Sequence, residues 1–114
     1  MVQFEVSKEM VDKIYEAIEV AKATGKLKKG SNEVTKAIER GTAKFVAVAK
    51  DVNPPEIVMH IPILCEEKNI PCMQVPSKEE LGAAAGIGLP TASVAVIVEG
   101  EAKDMIEEIV GKIK

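Results

Sequence analysis

Two stretches of this chain, Lys44-Phe45-Val46-Ala47-Val48-Ala49 and Ala92-Ser93-Val94-Ala95-Val96-Ile97-Val98, are apolar almost without a break and too short to be ordinary helices. A strand with one wet face alternates apolar and polar residues, so unbroken runs of this length predict strands buried on both faces. Such strands need a helical layer on each side. The intervening segments supply one. Apolar residues at Met10, Ile14, Ala17, Ile18 and Ala21 recur at three- and four-residue steps between Ser7 and Ala23, which predicts an amphipathic helix. Lys26-Leu27-Lys28-Lys29 alternates like a short edge strand, and Gly30 then turns the chain into a helix that Ser31 or Asn32 can cap and Gly41 can close. Asn53-Pro54-Pro55 leads into a helix from about Glu56 to Lys68, where Pro62 should kink it or split it in two. Met73-Gln74-Val75 reads as a strand, Ser77 with Glu80 as a capping box on a helix through Ala85, and the stripe Ala102, Met105, Ile106, Ile109, Val110, Ile113 as a docking helix. The expected fold is α/β: a three-layer α-β-α sandwich around a small mixed sheet, one domain over residues 1–114.

The formal net charge is −3, yet Lys22 to Lys50 holds eight cations (Lys22, Lys26, Lys28, Lys29, Lys36, Arg40, Lys44, Lys50) against Glu33 and Glu39. That segment therefore carries +6 and the remainder −9, which predicts positive potential concentrated on one part of the molecule. No apolar run approaches the roughly 20 residues of a membrane span, and the start Met1-Val2-Gln3-Phe4-Glu5-Val6 lacks the pattern of a signal peptide, so a cytoplasmic location is expected. Cys65 and Cys72, with six residues between them, match neither zinc nor redox spacing and are expected to be reduced, half-buried packing residues. Gly82, Gly86 and Gly88 do not form the dinucleotide fingerprint, and adjacent Glu66-Glu67 and Glu79-Glu80 diverge on a helix. His60, the one histidine, has no catalytic partner at a recognisable spacing and is expected to pack or cap. Neither a metal nor a cofactor is expected. With three aromatics (Phe4, Tyr15, Phe45), a base-stacking platform is not expected either.

The most informative constellation is Asn32, Glu33 and Lys36. At 100° per residue they fall at about 0°, 100° and 40° around the helix axis, opposite Val34, Ala37 and Ile38 at about 200°, 140° and 240°. They also stand near the helix start, where unpaired N–H groups and the dipole favour a phosphate, with Lys28 and Lys29 alongside. A carboxylate in a basic patch weakens phosphate binding unless a donor meets it. Guanine N1–H and N2–H₂ are such donors, guanine O6 and N7 accept from a lysine, and an asparagine amide can bond a purine edge. In A-form RNA these edges are reached where a bend, bulge or internal loop opens the groove. The plain alternative is that Glu33 favours the helix dipole and pairs with Lys36, worth a few tenths of a kcal/mol. A second class of function is a small α/β enzyme that binds a phosphorylated metabolite at the helix start near Gly30.

Three segments, Lys28-Lys29-Gly30-Ser31-Asn32-Glu33-Val34-Thr35-Lys36, His60-Ile61-Pro62-Ile63-Leu64-Cys65-Glu66-Glu67-Lys68-Asn69-Ile70-Pro71 and Ser77-Lys78-Glu79-Glu80-Leu81-Gly82, resemble the archaeal ribosomal L7Ae family of kink-turn RNA-binding proteins. The resemblance covers essentially the whole chain. It implies a non-catalytic α-β-α sandwich in which Asn32, Glu33 and Lys36 recognise tandem sheared G·A pairs, with Lys29 and Gly30 near the backbone; Lys28, beside them in the basic patch, is expected to contact the RNA as well. It further implies that Ile57 and Lys78 hold a flipped-out nucleotide and that the loop Ile87-Gly88-Leu89-Pro90 caps it. Eukaryotic relatives carry arginine where Leu89 stands and glutamate where Asn53 stands, which implies looser discrimination by this loop. The implied RNAs are kink-turns and kink-loops of ribosomal RNA, box C/D and H/ACA guide RNA and ribonuclease P RNA. The implied protein partners are ribonucleoprotein scaffold proteins, with the free chain a monomer.

Overall fold

The computed structural model describes residues 2–3, 8–52 and 56–112, with backbone alone at 2–3, 56–58 and 112. The elements in chain order are β1 (Val2–Gln3), α1 (Lys8–Thr24), β2 (Lys26–Lys29), α2 (Ser31–Glu39), β3 (Phe45–Ala49), α3 (Glu56–Glu67), β4 (Cys72–Val75), α4 (Lys78–Ala84), β5 (Ser93–Val98) and, after a 3₁₀ turn at Gly100–Ala102, α5 (Lys103–Lys112). Their sheet runs β1-β4-β3-β5-β2. It is mixed: β4 pairs parallel with β1 and β3, whereas β5 pairs antiparallel with β3 and β2.

The unbroken apolar run of β3 is explained by this order, since the strand is central and all five of its residues are buried. Alternate side chains enter different cores. Phe45, Ala47 and Ala49 join Met73, Val75, Val94 and Val96 beneath α1, α4 and α5, with Ile14, Ile18, Leu81 and Ile109 supplied by the helices. Val46 and Val48 face the other way, onto Val34, Ile38, Ile61 and Cys65 of α2 and α3. Each large side chain buried this fully contributes about 1.5–3 kcal/mol, so both helical layers are held chiefly by apolar contact with the strands. The expected three-layer arrangement is thus present, with the helix register of α1 as anticipated and Val11 added to its buried face.

Several local expectations need correction. No side chain caps α2: its N-cap is Gly30, at φ 90° and ψ 149°, a backbone region that essentially only glycine occupies. Of the kink or split expected at Pro62, the split does not occur: α3 continues through it, with Pro62 buried and Ile61 and Cys65 beside it fully buried, so packing outweighs the missing hydrogen bond. Cys65 and Cys72 are free but fully buried rather than half-buried. A hydrogen bond with Cys65, followed by desolvation, raises the Cys72 thiol well above its ordinary pKa, leaving it a neutral packing group. Other signals are met as expected. Ser77 Oγ accepts from the Glu80 N–H, and Gly41, at φ 72°, closes α2 by donating to the Ile38 carbonyl while the Thr42 N–H reaches that of Ala37. Phe4, Asn53 and Ile113 lie outside the described residues.

Candidate functional site

Because β5 runs antiparallel to both β2 and β3, one edge of the sheet collects the ends of β2, β3 and β4 and the beginning of β5. Helices α2 and α4 start at the same edge, directly after β2 and β4, and α3 follows β3 there. In open α/β sheets this carboxyl edge is where loops and helix N-termini can converge on a ligand. All twelve of the predicted site residues belong to segments that start from or return to it.

The edge strand β2 pairs Lys28 with Ala95 and Lys29 with Val94. Paired residues share a face, so Lys28 lies on the α2/α3 side and Lys29 on the other, both exposed. Gly30 then reverses the chain into α2, its N–H donating to the Ser93 carbonyl at 3.1 Å and its carbonyl accepting from the Val34 N–H at 3.0 Å. A Cβ on Gly30 would meet nothing within 4 Å, so glycine is required by backbone conformation and not by crowding. The starts of α2 and α4 differ in how their donors are used. The Lys78 N–H of α4 donates to Asp51 Oδ1 at 2.8 Å, and the Glu80 N–H to Ser77 Oγ at 3.2 Å. No side chain competes at the start of α2, which therefore presents N–H groups and the positive end of its dipole beside two lysines.

Asn32, Glu33 and Lys36 are exposed on that helix, opposite the fully buried Val34 and Ile38. Glu33 and Lys36 stand 4.0 Å apart, the side chains 51% and 57% exposed. An ion pair so long and so wet is worth at most a few tenths of a kcal/mol, so either partner can be taken over by a ligand at little cost. Asn32 and Lys36 also line an open groove of about 490 Å³ between α2 and α3, together with Ser31, Thr35, Glu39 and His60. His60 is exposed, which corrects the expectation that it packs or caps. The spacing of α3 could have shown this, since Ile61 and Cys65 at i and i+4 set the buried stripe and place His60 about 100° from Ile61.

The predicted cap loop returns along α4. The Ile87 N–H donates to the Gly82 carbonyl at 3.2 Å, and the Thr91 N–H to that of Lys78 at 3.0 Å. Gly82 makes this possible: a Cβ there would lie 1.9 Å from the Leu89 carbonyl oxygen. Gly88 takes φ 67°, and Leu89 is 70% exposed, its neighbours Gly88 and Pro90 lining an open cleft of about 400 Å³ with Glu79 and Ala83. Two loops share an acceptor, because Thr91 Oγ1 donates to the same Ser93 carbonyl that receives the Gly30 N–H, at 3.1 Å in both cases. Lys78 is half-buried at the first position of α4. Ile57 occupies the first turn of α3; its side chain lies outside the described residues.

The eight cations of the Lys22–Lys50 segment are not gathered as expected. Lys28, Lys29 and Lys50 stand at this edge, with Lys36 a turn further along α2, whereas Lys22, Lys26, Arg40 and Lys44 are at the opposite edge. The segment crosses the molecule on β2, α2 and β3 in turn, which divides its charge. Lys78, from the acidic remainder, joins the first set. Among the described residues there is no cluster of three or more potential metal ligands, and no helix is long and apolar enough to cross a membrane.

The sequence pattern of the ribosomal protein L7Ae/L30e/S12e/Gadd45 family matches residues 12–106. The chain belongs to this family. A similar solved structure is that of the Giardia lamblia 15.5kD RNA binding protein, 32% identical, with a TM-score of 0.88 over 94% of this chain and 89% of that one. The part matched to the L7Ae/L30e/S12e/Gadd45 family contains the whole edge, from Lys28 on β2 to Pro90 in the loop after α4.

Proposed function

We propose that this chain is an RNA-binding protein that recognises and stabilises kink-turn and kink-loop elements. The observation that carries the reading is the uncapped start of α2, where an exposed amide, carboxylate and ammonium stand beside the lysines of β2. The lysines and the helix N-terminus hold phosphate; Asn32, Glu33 and Lys36 meet the purine edges of sheared G·A pairs; Ile57, Lys78 and the loop Ile87-Gly88-Leu89-Pro90 enclose a flipped nucleotide. Glu33 rewards only the bent RNA, so binding shifts an existing equilibrium of the RNA toward that form.

Binding, not catalysis, is the activity. The family is one of ribosomal proteins and the similar solved structure is an RNA-binding protein, which sets aside a metabolite enzyme working at Gly30. The wider reading is an archaeal-type, cytoplasmic, monomeric protein. It serves the large ribosomal subunit, box C/D and H/ACA guide particles and ribonuclease P, where scaffold proteins join the RNA complex. The test is affinity for a short RNA carrying tandem G·A pairs against the same RNA with those pairs made Watson–Crick. Clear preference for the first is expected, and equal affinity for both removes the reading.

A further inference from the structure

The groove between α2 and α3 places a histidine opposite two residues of the proposed RNA-reading face, and nothing in the recognition described so far uses it. Its walls are Ser31, Asn32, Thr35, Lys36 and Glu39 on α2 and His60 on α3. The Ser31 and Thr35 hydroxyls can donate to a phosphate oxygen, and Lys36, an ammonium with three donors, can reach it while bonding a base edge, against the opposing charge of Glu39. We propose that this groove takes an RNA phosphodiester next to the G·A pairs, and that His60 contacts it in protonated form, making part of the affinity pH-dependent. The inference rests on the kink-turn reading and extends its footprint from α2 onto α3.

Histidine is the side chain whose ordinary charge change falls between about pH 5 and 8. The titratable groups facing His60 across the groove are Lys36 and Glu39. On its own helix Glu56 lies one turn earlier, its side chain outside the described residues. Beneath α3, β3 and β4 present Val46, Val48 and the neutral thiol of Cys72, and β1 (Val2–Gln3) contains no ionisable side chain. With phosphate in the groove, an imidazolium adds a second cation to Lys36 on the same anion, so affinity rises as pH falls.

The experiment measures binding of the G·A RNA and its Watson–Crick control at pH 5.5 and pH 8 over a range of salt, for the wild type, His60→Gln and His60→Lys. His60 is exposed, so both variants fold. The wild type is expected to bind the G·A RNA roughly three- to tenfold more tightly at pH 5.5, as for one gained charge-assisted contact. Its slope of log K against log salt should steepen by about 0.7–0.9. His60→Gln should show neither change, and His60→Lys should behave at pH 8 as the wild type does at pH 5.5. Protonation of the RNA bases affects all three proteins alike, so a response that survives in His60→Gln overturns the proposal. So does a wild type indifferent to pH, which would leave the groove to a protein partner. Loss of the G·A preference with a histidine-dependent slope intact overturns the kink-turn reading instead and keeps the phosphate contact.

Discussion

Glu33 carries the argument at the scale of single residues, because its charge opposes the attraction that the surrounding lysines create. If its carboxylate receives purine N–H groups, Glu33→Ala should weaken binding of the G·A RNA by about 1–3 kcal/mol although the variant is more positive. Titration calorimetry checks this, and tighter specific binding would reduce Glu33 to a surface charge. Tyr15 is a second residue with a measurable signature. Its hydroxyl donates to the Ser77 carbonyl at 3.3 Å, and burial, helped by Glu80 and Asp51, pushes its pKa up to about 12 from 10.0. Since the folded value lies above the unfolded one, the contribution to stability is complete below pH 10 and is lost as pH rises through about 12. Denaturant titrations should show a steeper alkaline decline for the wild type than for Tyr15→Phe, and parallel declines would contradict the assignment.

Among the elements, those bounded by hydrophobic pattern were legible in sequence and those bounded by backbone contacts were not. The run of β3 announces a buried strand and that of β5 does so as far as Val96, beyond which Ile97 is half-buried and Val98 exposed against expectation; the stripe of α1 announces its packing face, because burial is mostly written in side-chain polarity. Gly30 as the cap of α2 is different: polar Ser31 and Asn32 are the usual capping types, and only the backbone angles reveal that the helix begins one residue earlier without a cap. Of the two outcomes that Pro62 allows, a kink or a split, the split does not occur, since α3 runs on through it and Ile61 and Cys65 are packed in the core on either side. Gly82 had no readable role at all; its neighbour Leu89 is seven positions away and approaches through a carbonyl. Gly82→Ala should therefore push the Ile87–Pro90 loop off α4. Overpacking of this kind costs about 1–3 kcal/mol of stability. The RNA complex should also dissociate faster, and an unchanged off-rate in a folded variant would detach that loop from binding.

At the scale of the molecule, the placement of Asn32, Glu33 and Lys36 on one exposed face was legible because they share one helix, whereas the electric field was not. Charge counted along the chain cannot show that β2 and α2 carry Lys26 and Arg40 to one edge and Lys29 and Asn32 to the other. Exposed Glu9, Asp12, Glu16, Glu19, Glu107 and Glu108 on α1 and α5 outnumber Lys8, Lys13, Lys22 and Lys103 on the same helices, so that flank disfavours a polyanion. At the Gly30 edge, by contrast, Lys28, Lys29, Lys50 and Lys78 stand among Glu33, Asp51, Glu79 and Glu80 and set where phosphates can be held. With about five phosphates neutralised there, log K should fall with log salt at a slope near −4, and Lys29→Ala should reduce it by about one. A flat salt dependence would contradict the basic edge. The Ser93 carbonyl adds a mechanical consequence: one peptide oxygen at the mouth of β5 is the common anchor of the turn at Gly30 and the turn at Thr91. The gap between the proposed base reader and the proposed nucleotide lid is thereby gauged before any guest arrives, like the jaws of a fixed caliper, so in the proposed complex the cost of conforming would fall on the RNA.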